Sequence, residues 1–195
     1  MNKAEKIRES ILNIAKEIFS KYGFGKTSMD DIAQKARKGK STLYYYFKSK
    51  EDLFAAVVDK EANYIMNELL KIISVNDKTE NIFRNYAIRR FQLIENVANF
   101  YNIVKEEYLN YFPIIQRLRA KYDEFEIIAL KQILLKGILN NEIRISENQV
   151  DDVALSLAAA IKGLELPIFI DHLGNSLEKK LEVMLDIFFN GLLKK

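Results

Sequence analysis

Only seven glycines and two prolines punctuate a chain of 195 residues. Strands joined by hairpins need turn residues at short intervals, whereas long helices do not. That scarcity predicts an all-α fold. With 49% apolar and 29% charged residues, the chain has the make-up of a globular protein and not of a disordered one. Cysteine is absent, which excludes disulfides and thiolate metal sites. The charged start, Met1 to Glu9, has no apolar core like a signal peptide's, and Val153–Ile161 is too short to span a bilayer. A soluble, cytoplasmic protein with no membrane partner is therefore expected.

Helical periodicity is plainest at the start. Ile7, Ile11, Ile14, Ala15, Ile18, Phe19 and Tyr22 fall on one face, with Lys and Glu on the other, and Gly23 stops the helix. Thr27 and Ser28 offer caps, with Asp30 and Asp31 in the first turn of a short helix from Met29 to Ala36. After Arg37-Lys38-Gly39 comes a third short helix, Lys40–Phe47, in which Leu43 and Phe47 point inward together. Ser49 and Asp52 then form a capping-box variant, opening a helix from Lys50 to about Ser74. Three short helices with a tight turn between the second and third describe a helix-turn-helix. The predicted domains are residues 1–50, binding DNA, and 51–195, a helical bundle joined to it by the long helix.

Charge supports that reading. Residues 1–53 hold 12 Lys/Arg against 7 Asp/Glu, while residues 54–195 hold 18 against 20. Between Asp31 and Glu51 there are six basic residues and no acid. Such a concentration suits a polyanion-binding surface, although a merely solvated basic face would look the same. Tyr44, Tyr45 and Tyr46 on one short helix add rings and hydroxyls that suit phosphates, sugars and base edges.

At these residues a family resemblance emerges. Ile32-Ala33 and the run Thr42 to Leu53, with Ala15, Phe19, Gly23 and Thr27 in register, closely resemble the DNA-binding signature of the tetracycline-repressor (TetR) family over roughly residues 7–58. The resemblance implies a homodimeric repressor on a palindromic double-stranded operator, released when a small-molecule effector occupies the C-terminal domain. Carried over by position, it implies that Lys40, Ser41, Thr42 and Tyr45 approach base edges. Tyr44, Tyr46, Lys48 and Lys50, with Thr27 or Ser28, would hold phosphates. One departure stands out: the family's common Ala-Gly-Val-Ser turn is here Ala36-Arg37-Lys38-Gly39. The turn is expected to re-form with its glycine flexibility two residues on, and Arg37 and Lys38 to add two positive charges beside the groove.

The C-terminal part predicts helices over Thr79–Val97, Asn99–Tyr111, Pro113 to about Asn140, Ser146 to Leu166 and Asn175 to Gly191, with a loop between Pro167 and Gly174. Tyr64, Tyr86, Arg90, Tyr101 and Tyr108 are candidate effector contacts, although aromatics at helical spacing are more often plain core. Arg89 or Arg90 could face inward to an anionic ligand or a buried carboxylate, or lie in solvent. His172, the sole histidine, cannot build a metal site, and no cofactor is implied. The apolar stretch Ala154–Ile161 with the last helix suits a four-helix seam across a twofold axis, so the homodimer is expected through the last two helices. The alternatives to a ligand-responsive repressor are a helical small-molecule-binding dimer that has lost operator binding and, third, an enzyme. No catalytic triad, phosphate loop or paired-acid spacing supports the last.

Overall fold

The computed structural model describes residues 2–100, 108–171 and 174–192. Its helices are α1 (Lys3–Tyr22), α2 (Met29–Lys35), α3 (Lys40–Tyr46), α4 (Lys50–Ile73), α5 (Thr79–Phe100), α6 (Tyr108–Leu139), α7 (Val150–Asp171) and α8 (Gly174–Leu192), with a 3-10 turn, Glu147–Gln149, before α7. The all-α expectation holds. Two compact units result, one of residues 1–63 with 99–118, the other of residues 64–98 with 119–195.

The first unit closes around Phe19, Phe24 and Phe54. Phe24 stacks on Phe19 at 5.7 Å between centroids, and Phe54 meets both edge-on at 5.4 and 5.0 Å. Edge-to-face contact suits the ring quadrupoles and ties α1, its following loop and the start of α4 into one core. Ile11, Leu12, Ala15 and Ile18 of α1, Ile32 of α2 and Leu43 of α3 complete it, with Leu53 and Val57 of α4. The first compact unit takes in α4 as far as Asn63, and the first turns of that helix are buried in this core. Lys60 bonds to Glu9 and, at 2.9 Å, to Asn13, while Lys16 pairs with Glu61 at 2.7 Å, all within the unit.

Local signals set the helix ends. Asn2 and Glu5 form a capping box on α1, and Gly23, at φ 81°, ends it in a conformation that favours glycine. Ser28 and Asp31 form the box on α2. At α4 the Ser49 hydroxyl accepts from the Asp52 N–H at 3.0 Å, and the Asp52 carboxylate accepts from the Lys48 N–H at 3.0 Å.

The second unit buries Leu69 of α4, Ile82, Phe83 and Tyr86 of α5, Leu130 and Ile133 of α6, Ala154 and Leu157 of α7, and Leu185 of α8. Two expectations fail here, both at prolines. The helix expected to open at Pro113 begins at Tyr108, and α7 runs through Pro167 to Asp171, leaving little of the predicted loop. Of the helix expected over Asn99–Tyr111, residues 99–100 belong to α5 and 108–111 to α6, and 101–107 lie outside the described residues. An interior proline removes one hydrogen bond and costs about 3 kcal/mol. Helices of 32 and 22 residues with buried faces outweigh that cost. His172 lies outside the described residues.

Candidate nucleic-acid interface

The turn between α2 and α3 sets the geometry of the DNA-facing surface. Arg37 N–H donates to the Gln34 carbonyl at 3.1 Å and Lys38 N–H to the Ala33 carbonyl at 3.0 Å, the paired bonds of a Schellman helix end. The residue after the cap in that motif must be left-handed, and it is Arg37, at φ 52°. The expected relocation of flexibility to Gly39 is thus incorrect. Gly39 is an extended N-cap of α3, at φ −65° and ψ 147°, a conformation open to any residue. The hydrogen bonds of the turn fix the strained position at 37 whatever side chain stands there.

From that turn α3 emerges with Leu43 and Phe47 buried against the first core, as their spacing requires. The opposite side is open: Lys40, Ser41, Tyr44 and Lys48 are exposed, and Tyr45 is 74% exposed. Its ring meets Tyr46 edge-on at 5.0 Å, and Tyr46 itself is half-buried against the core. Thr42 and Lys38 are likewise half-buried. The three tyrosines therefore divide their work, with Tyr46 bracing the ring that Tyr45 presents.

Several side chains assigned to DNA also have partners within the protein. Thr27 is buried and its hydroxyl donates to the Gly23 carbonyl at 2.7 Å. Ser28 is occupied by the Asp31 carboxylate, which that contact holds below its usual range. Lys50 Nζ donates to the Phe24 carbonyl at 2.8 Å and lies 4.2 Å from the centroid of the Phe24 ring. Lys40 pairs with Asp30 at 2.9 Å, and that bond raises its pKa. No short-range pattern announces the Lys50 contact, since Lys50 and Phe24 lie 26 residues apart.

The effector candidates are brought together only in part. Tyr86 and Arg90, one turn apart on α5, are both buried. Arg90 meets a carboxylate, that of Glu126 on α6: Nη2 donates to Oε2 at 2.8 Å and Nε lies 2.5 Å from Oε1. The Arg90 guanidinium also lies 5.5 Å from the centroid of Tyr122, and burial pushes the Tyr86 phenol well above its ordinary pKa. Tyr64 is 52% exposed and does not share this enclosure. Tyr101 and the side chain of Tyr108 lie outside the described residues.

A trihelical unit whose third helix buries two apolar residues and offers a basic, phenolic face to solvent is, as a class, a helix-turn-helix DNA reader. A sequence model of bacterial regulatory proteins of the tetR family matches residues 11–57. The transcriptional regulator QacR of Staphylococcus aureus is 31% identical over 193 residues, 96% of this chain and 99% of that protein. The negative transcriptional regulator IcaR of the biofilm operon icaADBC in Staphylococcus epidermidis is 27% identical over 78 residues, 40% of this chain and 42% of that one. A crystal structure of a transcriptional regulator from Cytophaga hutchinsonii shares the fold, with a TM-score of 0.81 at 24% identity over 95% of this chain and 98% of that one. The chain belongs to the TetR family and is a helix-turn-helix transcriptional regulator.

Proposed function

We propose that this regulator is a cytoplasmic homodimeric repressor, held on a palindromic operator by α3 and released by a small-molecule effector bound in the second unit. The observation that carries the DNA assignment is the open side of α3, where Tyr45 stands 74% exposed among Lys40, Ser41, Tyr44 and Lys48. A large aromatic ring is costly to leave in water unless it has a partner. Lys40, Ser41, Thr42 and Tyr45 are assigned to base edges, and Tyr44, Tyr46, Lys38 and Lys48 to phosphate. Ser28, Thr27 and Lys50 brace the frame through the contacts above. IcaR, named as a negative regulator, supports repression. Selection of bound duplexes from a random pool tests the reading: a recovered palindrome is expected, and no enrichment would overturn operator binding.

The effector assignment rests on the Tyr86–Arg90–Glu126 cluster. A buried ion pair is often no more stabilising than well-packed apolar residues of the same volume, so stability alone does not account for it. The Tyr86 hydroxyl, moreover, is buried with no hydrogen-bond partner among the described residues. SmeT, a structural neighbour with a TM-score of 0.72 at 17% identity over 97% of this chain and 93% of that one, was solved as a complex with triclosan. The double variant R90M/E126L should fold and bind operator yet lose its response to effector. An unaltered response would remove the cluster from the effector site.

A further inference from the structure

Among the described residues of the first unit, Arg37 is the one non-glycine residue with a positive φ, and it is also an exposed cation. Arg37 holds φ 52°, where a Cβ crowds the backbone and glycine is the ordinary occupant. Its side chain is exposed, and its guanidinium has no hydrogen bond or ion pair among the described residues. Three basic neighbours are engaged within the protein. Lys35 pairs with Glu17 at 2.6 Å, Lys40 with Asp30 at 2.9 Å, and Lys50 bonds to the Phe24 carbonyl at 2.8 Å. Strain at an exposed turn persists where the side chain does something that a relaxed residue cannot do. Glycine at this position would remove the strain, and only the guanidinium would be lost.

We infer that Arg37 is a phosphate-contacting residue of this regulator, anchoring the DNA backbone beside the entry point of α3. Its place supports this. It stands three residues before Lys40, the first residue of the helix assigned to the groove, and its long side chain starts from the rigid Schellman turn. A guanidinium presents a planar fork of donors that matches phosphate oxygens two at a time. A phosphate contact fixes register without reading sequence, so Arg37 should strengthen binding to every duplex alike. The inference rests on α3 as the DNA-reading helix, and the experiment separates the two.

Arg37→Gly and Arg37→Asn both relax the left-handed turn, since asparagine tolerates it nearly as well as glycine. Each variant should melt no lower than the parent, by about 2 °C higher for glycine. Each should nevertheless bind a 30-base-pair duplex of random sequence about eightfold more weakly per protomer at 0.1 M salt. The slope of log affinity against log salt should flatten by about 0.9 per protomer. Arg37→Lys should keep that slope. A merely structural residue cannot raise stability and lower affinity together. Unchanged affinity and slope in both relaxed variants would overturn the inference. If Tyr45→Ala still lost discrimination between a selected duplex and the random one, the failure would be that of Arg37 alone.

Discussion

The joint between α6 and α5 shows how far single residues depend on their surroundings. Asn141, at φ 59°, ends α6 in a second Schellman turn, with Glu142 N–H donating to the Gly137 carbonyl at 2.8 Å. That turn aims the Glu142 carboxylate at α5, where it accepts from the Thr79 N–H at 2.7 Å across 63 residues of chain. These bonds from Thr79 hold the Glu142 pKa below its usual value. A carboxyl with a depressed folded-state pKa stabilises the fold above its unfolded pKa and loses that contribution as pH falls through the folded one. Glu142→Gln keeps an acceptor and drops the charge, so it should cost about 1 kcal/mol at neutral pH and almost nothing in strong acid. Urea unfolding at pH 7 and pH 3 checks this: a deficit of equal size at both would show that charge is irrelevant. Gly137 makes a second case. Glycine to alanine inside a helix usually gains about 1 kcal/mol. Here the added Cβ would stand 2.8 Å from Thr79 Cγ2 and 3.0 Å from Ile143, both buried. Gly137→Ala should therefore destabilise by about 1–3 kcal/mol, and a higher melting temperature would refute the crowding.

At the scale of the element, α3 predicts a separation of effects among neighbours. Tyr45→Ala removes an exposed ring, so stability should hold while about 1–3 kcal/mol of operator discrimination disappears. Tyr46→Ala and Lys50→Ala remove groups packed or bonded inside the first unit, so both should lower the melting temperature first. If all three lost affinity alone, with no change in melting, the division between bracing and reading would be wrong. Much of this element was legible in the sequence. The four-residue spacing of Leu43 and Phe47 gave its buried side, and the Ser28–Asp31 and Ser49–Asp52 caps gave the limits of its neighbours, because caps and amphipathic faces are local physics. Arg37 was misjudged because composition says where glycine is, whereas the hydrogen bonds of the Schellman turn say where it is needed. Glu126 escaped as the partner of Arg90 because the two lie 36 residues apart on separate helices. The prolines at 113 and 167 misled for a related reason: a proline states a local cost, and tertiary burial decides whether a helix bears it.

For the whole molecule, α7 and α8 carry the consequence for assembly. Packed within one protomer, they still leave Leu155 51%, Val183 58% and Ile187 70% exposed. Ala159 and Gly163 lie on the same open side of α7, and a Cβ built on Gly163 or on Gly191 of α8 would meet nothing within 4 Å. Branched apolar residues beside small ones leave room for another pair of helices to approach closely, and in the proposed homodimer a twofold axis would supply that pair from a second copy. Two linked readers can then engage half-sites one helical turn apart, about 34–36 Å. Linking also makes the second half-site encounter intramolecular, a gain of about 10²–10⁴ over one reader alone. In that proposed arrangement Ile187→Asp would place a carboxylate from each copy in the apolar seam. Because Ile187 is exposed within the protomer, each copy should keep its helical content while sedimentation shows monomers at micromolar concentration. Operator affinity should fall by about two to four orders of magnitude, while binding to short half-site duplexes stays as it was. Leu185→Asp gives the contrast: Leu185 is wholly buried, so that charge should unfold the second unit itself. An Ile187→Asp protein that sediments as a dimer and binds full operator normally would place the twofold contact elsewhere on the molecule.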